Sequence, residues 1–284
     1  MSRRLLFDPG RTTQNLHRDR PTGESRPIRA DIDPFLKSSK QTADSPLELV
    51  IAIPGGDLNL QSTHTTIERL MAAVDEHDPY TGAHSCRVAS LAVLLSRFMG
   101  MDDDAVDIVG QAGLVHDVGK MAMPPDILTK EGRLDDLEFK MIQLHATLGA
   151  SILAAVGGLD HLVPIVLHHH ERWDGRGYPT GLSGIHIPIE SRIILVADAY
   201  DAMTTDRPYG EVMSSNQAME EIERCANAQF DPLVAQAMRL AYDGGLIEEY
   251  SSPDSRRFKP SDRTVVTNGG VLGEVQASDA RTRV

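Results

Sequence analysis

Five histidines in this sequence, His84, His116, His145, His169 and His170, stand where amphipathic helical patterns place the inside of a bundle. That restricts the fold sharply, because a buried polar group has to be satisfied. The helical patterns are clear. Val88, Leu91, Ala92 and Leu95 fall at i, i+3, i+4 and i+7, which predicts a helix ending near Gly100. Residues 103–116 repeat the pattern through Ala105, Ile108, Val109 and Ala112, until Gly119 and Pro124-Pro125 break it. A capping-box-like Asp135-Asp136-Leu137-Glu138 opens a helix to about residue 155, with Met141, Leu144, His145 and Leu148 on one face. Further helices are expected over 159–170, over 188–204, where an apolar run from Ile193 to Ala197 precedes Asp198, and after Asp231-Pro232 through Leu240. Strand signals are few, so the expected fold is an all-α bundle from about residue 58 to 246.

At 284 residues the chain is longer than a typical domain of about 100 to 200 residues. Residues 1–46 are rich in Arg, Asp, Ser, Thr and Pro, and read as a flexible tail or a remnant domain. A main helical domain is expected over 47–250, opened by a short apolar run at 47–53 that suits a strand or an ordered lead-in. Residues 251–284 are again polar and are expected to be disordered. No run approaches the roughly 20 apolar residues of a bilayer span, and Leu5-Leu6-Phe7 is too short for a signal peptide, which predicts a cytoplasmic chain without membrane insertion. Cys86 and Cys225 are far apart and outside any CxxC pair, so neither a disulfide framework nor a thiolate zinc site is expected. A net charge of −13 argues against DNA as a partner, and a phosphate ligand would need locally supplied positive charge.

A lone buried histidine is usually a hydrogen-bonded core residue rather than a ligand. Several of them converging with carboxylates are another matter. His116-Asp117 closes one expected helix, His169-His170 closes another, and Asp198 follows an apolar run. Burying two aspartates without partners would be costly, and metal ions would offset that cost. Imidazole and carboxylate without thiolate suit manganese, iron or zinc.

His84, His116-Asp117 and Asp198 resemble the H…HD…D signature of the HD phosphohydrolase superfamily. The blocks HSCRVA from His84, HDVGKMAMPPDIL from His116, HHERWDGRGYPTGL from His169 and VADAYDAMTTDRPY from Val196 are similar to the HD-GYP family, Gly177-Tyr178-Pro179 being the second half of the name. The likeness runs from about residue 78 to 232. It implies a helical bundle with a GYP loop and a centre of two or three metals that hydrolyses a cyclic dinucleotide, typically cyclic di-GMP, to pGpG or GMP through a metal-bridging hydroxide. One ion would take His84, His116, Asp117 and Asp198, and the second His145, His169 and His170, with Asp117 bridging both. Iron or manganese is the implied cofactor. Lys120 would act on the developing phosphorane charge and Arg207 would meet substrate phosphate. His168 reads as a neighbour, since adjacent helical side chains diverge by about 100°. Docking of GGDEF-domain proteins and a homodimer are further partnerships the resemblance leaves open.

Two departures modify this expectation. Tyr80 stands four residues before His84, where members with a third metal carry glutamate, which points to two ions. Gly210-Glu211 replaces a basic residue found in many members, and each close charge is worth about 1 kcal/mol or more in a partly buried site. Two alternatives therefore stand beside cyclic di-GMP hydrolysis: a phosphohydrolase for another cyclic dinucleotide or nucleotide, and a non-catalytic receptor or adaptor that binds nucleotide or GGDEF partners.

Overall fold

A computed structural model describes residues 63–77, 79–130, 132–205 and 212–247, together with the backbone of Val266–Thr267 and Gly270–Val271. The expected tail 1–46, the run 47–53, Arg207 and Gly210-Glu211 lie outside the described residues, as does the side chain of Tyr80. So does most of 251–284, within which the two described dipeptides pair antiparallel.

The fold is all-α. In chain order the helices are α1 (Thr63–His77), α2 (Pro79–Phe98), α3 (Asp103–Val115), α4 (Pro125–Leu128), α5 (Asp136–Val156), α6 (Val163–Leu167), α7 (Ile189–Thr204), α8 (Ser215–Arg224) and α9 (Pro232–Asp243), with 3₁₀ turns at Val118–Ala122 and Gly184–His186. Helix α2 is the axis of the bundle and packs against α1, α3, α7 and α9. Its stripe of Val88, Leu91, Ala92 and Leu95 is fully buried as the periodicity predicts, and the helix begins early enough to carry His84. Local chemistry sets several starts. Asp102 caps α3 through Ala105 N, and Asp135 and Glu138 form a complete capping box on α5, each cap contributing about 1 kcal/mol. Asp231 caps α9 with Pro232 in the first turn, as expected.

The helix expected over 159–170 is much shorter than its sequence pattern. Only Val163–Leu167 is helical, because Pro164 suits a first turn and His168, at φ −109°, ψ 11°, has left the helical region. Non-helical hydrogen bonds then take over, Glu171 N to His168 O at 3.0 Å and Tyr178 N to His170 O at 3.3 Å. Helices α1, α4 and α8 are additional to those the periodicity predicts, α4 lying where Pro124-Pro125 is expected only to break the pattern. Helix α5 also departs from expectation, since by length and composition it could cross a bilayer, yet half of its most apolar window is buried inside the protein. Its apolar residues face the 118–122 turn and α6.

The main core gathers α1, α2, α3, α5, α6, α7, α8 and α9 around Leu94, Leu153, Ile194 and Phe230, and a smaller cluster of Met123, Ile142 and Leu148 lies between α5 and the 118–128 segment. The contact of that segment with α5 requires glycine. A Cβ on Gly119 would stand 1.9 Å from the His145 carbonyl oxygen and 2.5 Å from Gly149 N, both backbone atoms that cannot rotate away. Gly119→Ala should therefore destabilise the fold by about 3 kcal/mol, the upper range for overpacking, as read from chemical denaturation. Wild-type stability in that variant would refute the close packing.

Candidate metal centre

Five segments of the chain meet around His84 of α2. His84 projects from α2, His116 and Asp117 from the end of α3, His145 from the middle of α5, His169 and His170 from the turn after α6, and Asp198 from α7. Two of these placements depend on helix ends. His116 is still helical at φ −56°, ψ −35°, whereas Asp117 at φ −97°, ψ 7° has turned out of α3, so two consecutive residues point into one site. The early end of α6 does the same for His169 and His170, whose ring centroids lie 4.1 Å apart. His168 turns back to Pro164 O at 2.7 Å and takes no part, as its sequence position suggests.

The ring nitrogens are set by the backbone. His116, His145 and His169 each donate Nδ1–H to the carbonyl three residues upstream, at Gly113 (2.8 Å), Ile142 (2.6 Å) and Val166 (2.6 Å). A carbonyl only accepts, so each neutral ring must present a bare lone pair at Nε2. His145 Nε2 and His169 Nε2 face each other at 3.2 Å, and His116 Nε2 is buried without a hydrogen-bond partner among the described residues. Lone pairs aimed at one another in a dry interior are unfavourable unless a cation lies among them. The donor set fits a metal.

The donors fall into two groups, His145 with His169 and His170, and His84 with His116 and Asp117, the atoms of each lying within 4.8 Å of one another. Asp117 stands between the groups. Its Oδ1 is 3.5 Å from His145 Nε2, and its Oδ2 is 3.4 Å from His116 Nε2 and 3.9 Å from His84 Nε2. The Lys120 ammonium pairs with the same Oδ2, and Asp198 Oδ1 lies 3.1 Å from His84 Nε2.

Burial and charge act differently on the two groups. Burial pushes His145 down to about 4 and His170 to about 3, and lowers His169 as well, so these rings are neutral at physiological pH. Burial also opposes a charge on His84, but hydrogen bonds to Asp198 and Asp201 outweigh it and raise the ring to about 9. For Asp117 burial is again opposed, here by the Lys120 ammonium and the imidazoles, which hold the carboxyl well below the usual carboxylate range.

A sequence profile of the HD domain family matches residues 68–234, more than half of the chain. The chain belongs to the HD domain family. It is 42% identical over 161 residues to a cyclic di-GMP phosphodiesterase of Pseudomonas aeruginosa, a match covering 56% of this chain and 39% of that protein. A cyclic di-GMP phosphodiesterase response regulator of Xanthomonas campestris is 36% identical over 61% of this chain and 46% of its own length. A 3'3'-cGAMP-specific phosphodiesterase of Vibrio cholerae is 33% identical over 73% of this chain and 45% of its own. The matched part thus spans about half or less of these relatives. Among solved structures, an HDG"Y"P protein from Bdellovibrio bacteriovorus shares the fold at a TM-score of 0.51 and 16% identity, over 79% of this chain and 75% of that one.

In this HD domain the GYP loop folds back over the second histidine group. Gly177 lies against the backbone of His170, Glu171 and Arg172, where a Cβ would stand 2.4 to 2.5 Å from their atoms. Tyr178 stacks on His170 with centroids 4.8 Å apart, and its buried hydroxyl has no hydrogen-bond partner among the described residues. Burial and the nearby Asp198 and Asp117 raise its pKa, so the hydroxyl stays protonated.

Three residues join the site that ligand spacing does not single out. Glu171 is buried and its Oε1 accepts from Thr180 N at 2.6 Å, Thr180 Oγ1 at 2.7 Å and Gly181 N at 2.9 Å, which clasps the GYP loop shut. Asp201 and Arg87 brace His84 from behind. Their signal in the sequence is the i, i+3 spacing, Arg87 three residues after His84 and Asp201 three after Asp198, which puts each pair on one helix face.

The contrast between the groups predicts their pH behaviour. A cation entering beside His84 must displace a proton at any pH below about 9, so affinity for that ion should rise about tenfold per unit between pH 7 and 8. His145 and His170, neutral above about 4, impose no such slope on a cation that binds beside them. Mn²⁺ titrations that count free ion by electron paramagnetic resonance at the two pH values measure this; two pH-independent affinities would contradict it.

Proposed function

We propose that this HD domain is a phosphodiesterase for cyclic dinucleotides, with cyclic di-GMP as substrate and pGpG or GMP as product. The observation that carries the reading is Asp117, a buried carboxylate with one oxygen toward His145 and the other toward His84 and His116. That disposition suits a bridge between two divalent ions, iron or manganese, one held by His84, His116, Asp117 and Asp198 and the other by Asp117, His145, His169 and His170. When bound, such a pair supplies Lewis acidity toward a phosphodiester and a nucleophile from water near neutral pH.

The remaining work falls to the chain's own residues. The carbonyl-locked imidazoles hold their Nε2 atoms in place before any ligand arrives, so little reorganisation is required on binding. Lys120 lies on the rim of the site, one-fifth exposed and paired with Asp117, where its ammonium can turn to a phosphate oxygen as charge develops there. It also brings positive charge to a chain whose net charge of −13 would otherwise repel a dianion. Tyr178 covers His170 and excludes water from the second histidine group. Arg207 is proposed to meet substrate phosphate as well.

Base preference forms a second reading. The relatives include a 3'3'-cGAMP-specific enzyme at an identity close to that of the cyclic di-GMP enzymes, so the same phosphodiester chemistry on a hybrid cyclic dinucleotide is a direct alternative. Anaerobically purified protein supplied with Mn²⁺ or Fe²⁺ and offered both nucleotides should convert at least one to a linear product. Absence of product from both would defeat the proposal. Asp117→Ala should lose metal content and turnover together, while Lys120→Ala should keep its metal and slow by about 10²-fold. A Lys120→Ala variant as fast as wild type would remove Lys120 from the mechanism.

A further inference from the structure

The four buried histidines are not held alike. Three of them donate Nδ1–H to a backbone carbonyl of their own segment. His84 instead meets a side-chain carboxylate, Asp201 Oδ2 at 2.6 Å, across a sequence distance of 117 residues. That carboxylate is itself held in a fork: Arg87 Nε donates to Oδ1 at 2.5 Å, Arg87 Nη2 donates to Oδ2 at 3.0 Å, and Thr205 Oγ1 donates to Oδ1 at 3.2 Å. Asp201 is 5% exposed, so these bonds form away from bulk water.

The arrangement is reciprocal. His84 and Arg87 sit three apart on α2, Asp198 and Asp201 sit three apart on α7, and the two pairs interlock where the helices pack. On each helix one member faces the site and the other backs it. His84 Nε2 lies toward Asp198 and Asp117, while its Nδ1 is taken by Asp201.

We infer that Asp201, gripped by Arg87, is a positioning residue that orients His84 and strengthens its Nε2 as a donor, which makes the cation on the His84 side the one controlled by a side-chain relay. The inference rests on the metal reading above and assigns to Asp201 and Arg87 a role outside the expected ligand set. A carboxylate behind an imidazole fixes the tautomer and raises ligand basicity more than a neutral carbonyl does, and loss of such a partner costs about 10–100-fold in metal affinity. Arg87 keeps the buried carboxylate compensated, and its planar fork fits the two oxygens in a way a lysine would not. In the other group His145 and His169 place Nδ1 on backbone carbonyls instead.

The test uses the full chain, purified anaerobically, with Mn²⁺ alone as the probe at pH 8.5. Asp201→Asn preserves size and can still accept from Nδ1–H but removes the charge. One Mn²⁺ equivalent should weaken by about 10–100-fold while the other stays within about twofold of wild type. Arg87→Lys, which retains a positive partner, should weaken the same equivalent by about threefold. Imidazole ¹⁵N spectra of the metal-free protein should show the His84 resonances moving in Asp201→Asn while those of His145 and His169 stay in place. Unchanged affinity for both ions in both variants would overturn the inference, and so would equal weakening of both ions, which marks a general loss of packing. Wild-type protein that takes up fewer than two Mn²⁺ overturns the binuclear reading itself, and this inference falls with it.

Discussion

Asp117 is 2% exposed, and an isolated carboxylate so far from water would lose more in hydration than any packing around it returns. It persists as an anion because Lys120 and the rings of His84, His116 and His145 surround it within about ion-pair distance. The fold is organised to deliver those partners. Helix α3 must stop at Val115 so that Asp117 turns inward, α5 must pass close enough for His145, and Gly119 must be small enough to let the two touch.

The same economy explains the imidazoles. Three of the rings are fixed by one carbonyl each, drawn from the turn that precedes them, and that bond commits the opposite nitrogen to the centre of the site. Preorganisation here comes from helix geometry, since position i−3 lies directly behind position i. The His84 side is built differently, through Asp201 and Arg87, and His84 is raised toward protonation while His145, His169 and His170 are lowered. Two halves of one centre therefore meet protons and cations on unequal terms.

Much of this was legible from residue order. The burial of Val88, Leu91, Ala92 and Leu95 followed from period, the capping box at Asp135 from its residues, and the α9 start from Asp231-Pro232. The structure brings the seven residues expected as ligands together, while Arg207, expected to meet substrate, lies outside the described residues. Where periodicity failed, a local competitor had taken over. The apolar run after Leu159 reads as one helix, but hydrogen bonds from Glu171 and Tyr178 to His168 and His170 outbid the helical ladder at its end. Glu171 looks in sequence like an ordinary charged loop residue, and only the return of Thr180 and Gly181 onto its carboxylate gives it a role.

The sequence by itself determined the fold class and the chemistry available. Period 3.6 written over most of the central region requires helices, and histidines with aspartates on the apolar faces require a partner for buried polar groups. What it could not determine was which oxygen of Asp117 faces which histidines, which ring nitrogen is bare, and that Arg87 and Asp201 answer one another across α2 and α7. Those depend on the rotation and closeness of helices far apart in the chain, distances that no local spacing encodes. Only tertiary packing brought residues 117 positions apart to 2.6 Å, and that contact sets His84 apart from the three rings held by backbone carbonyls.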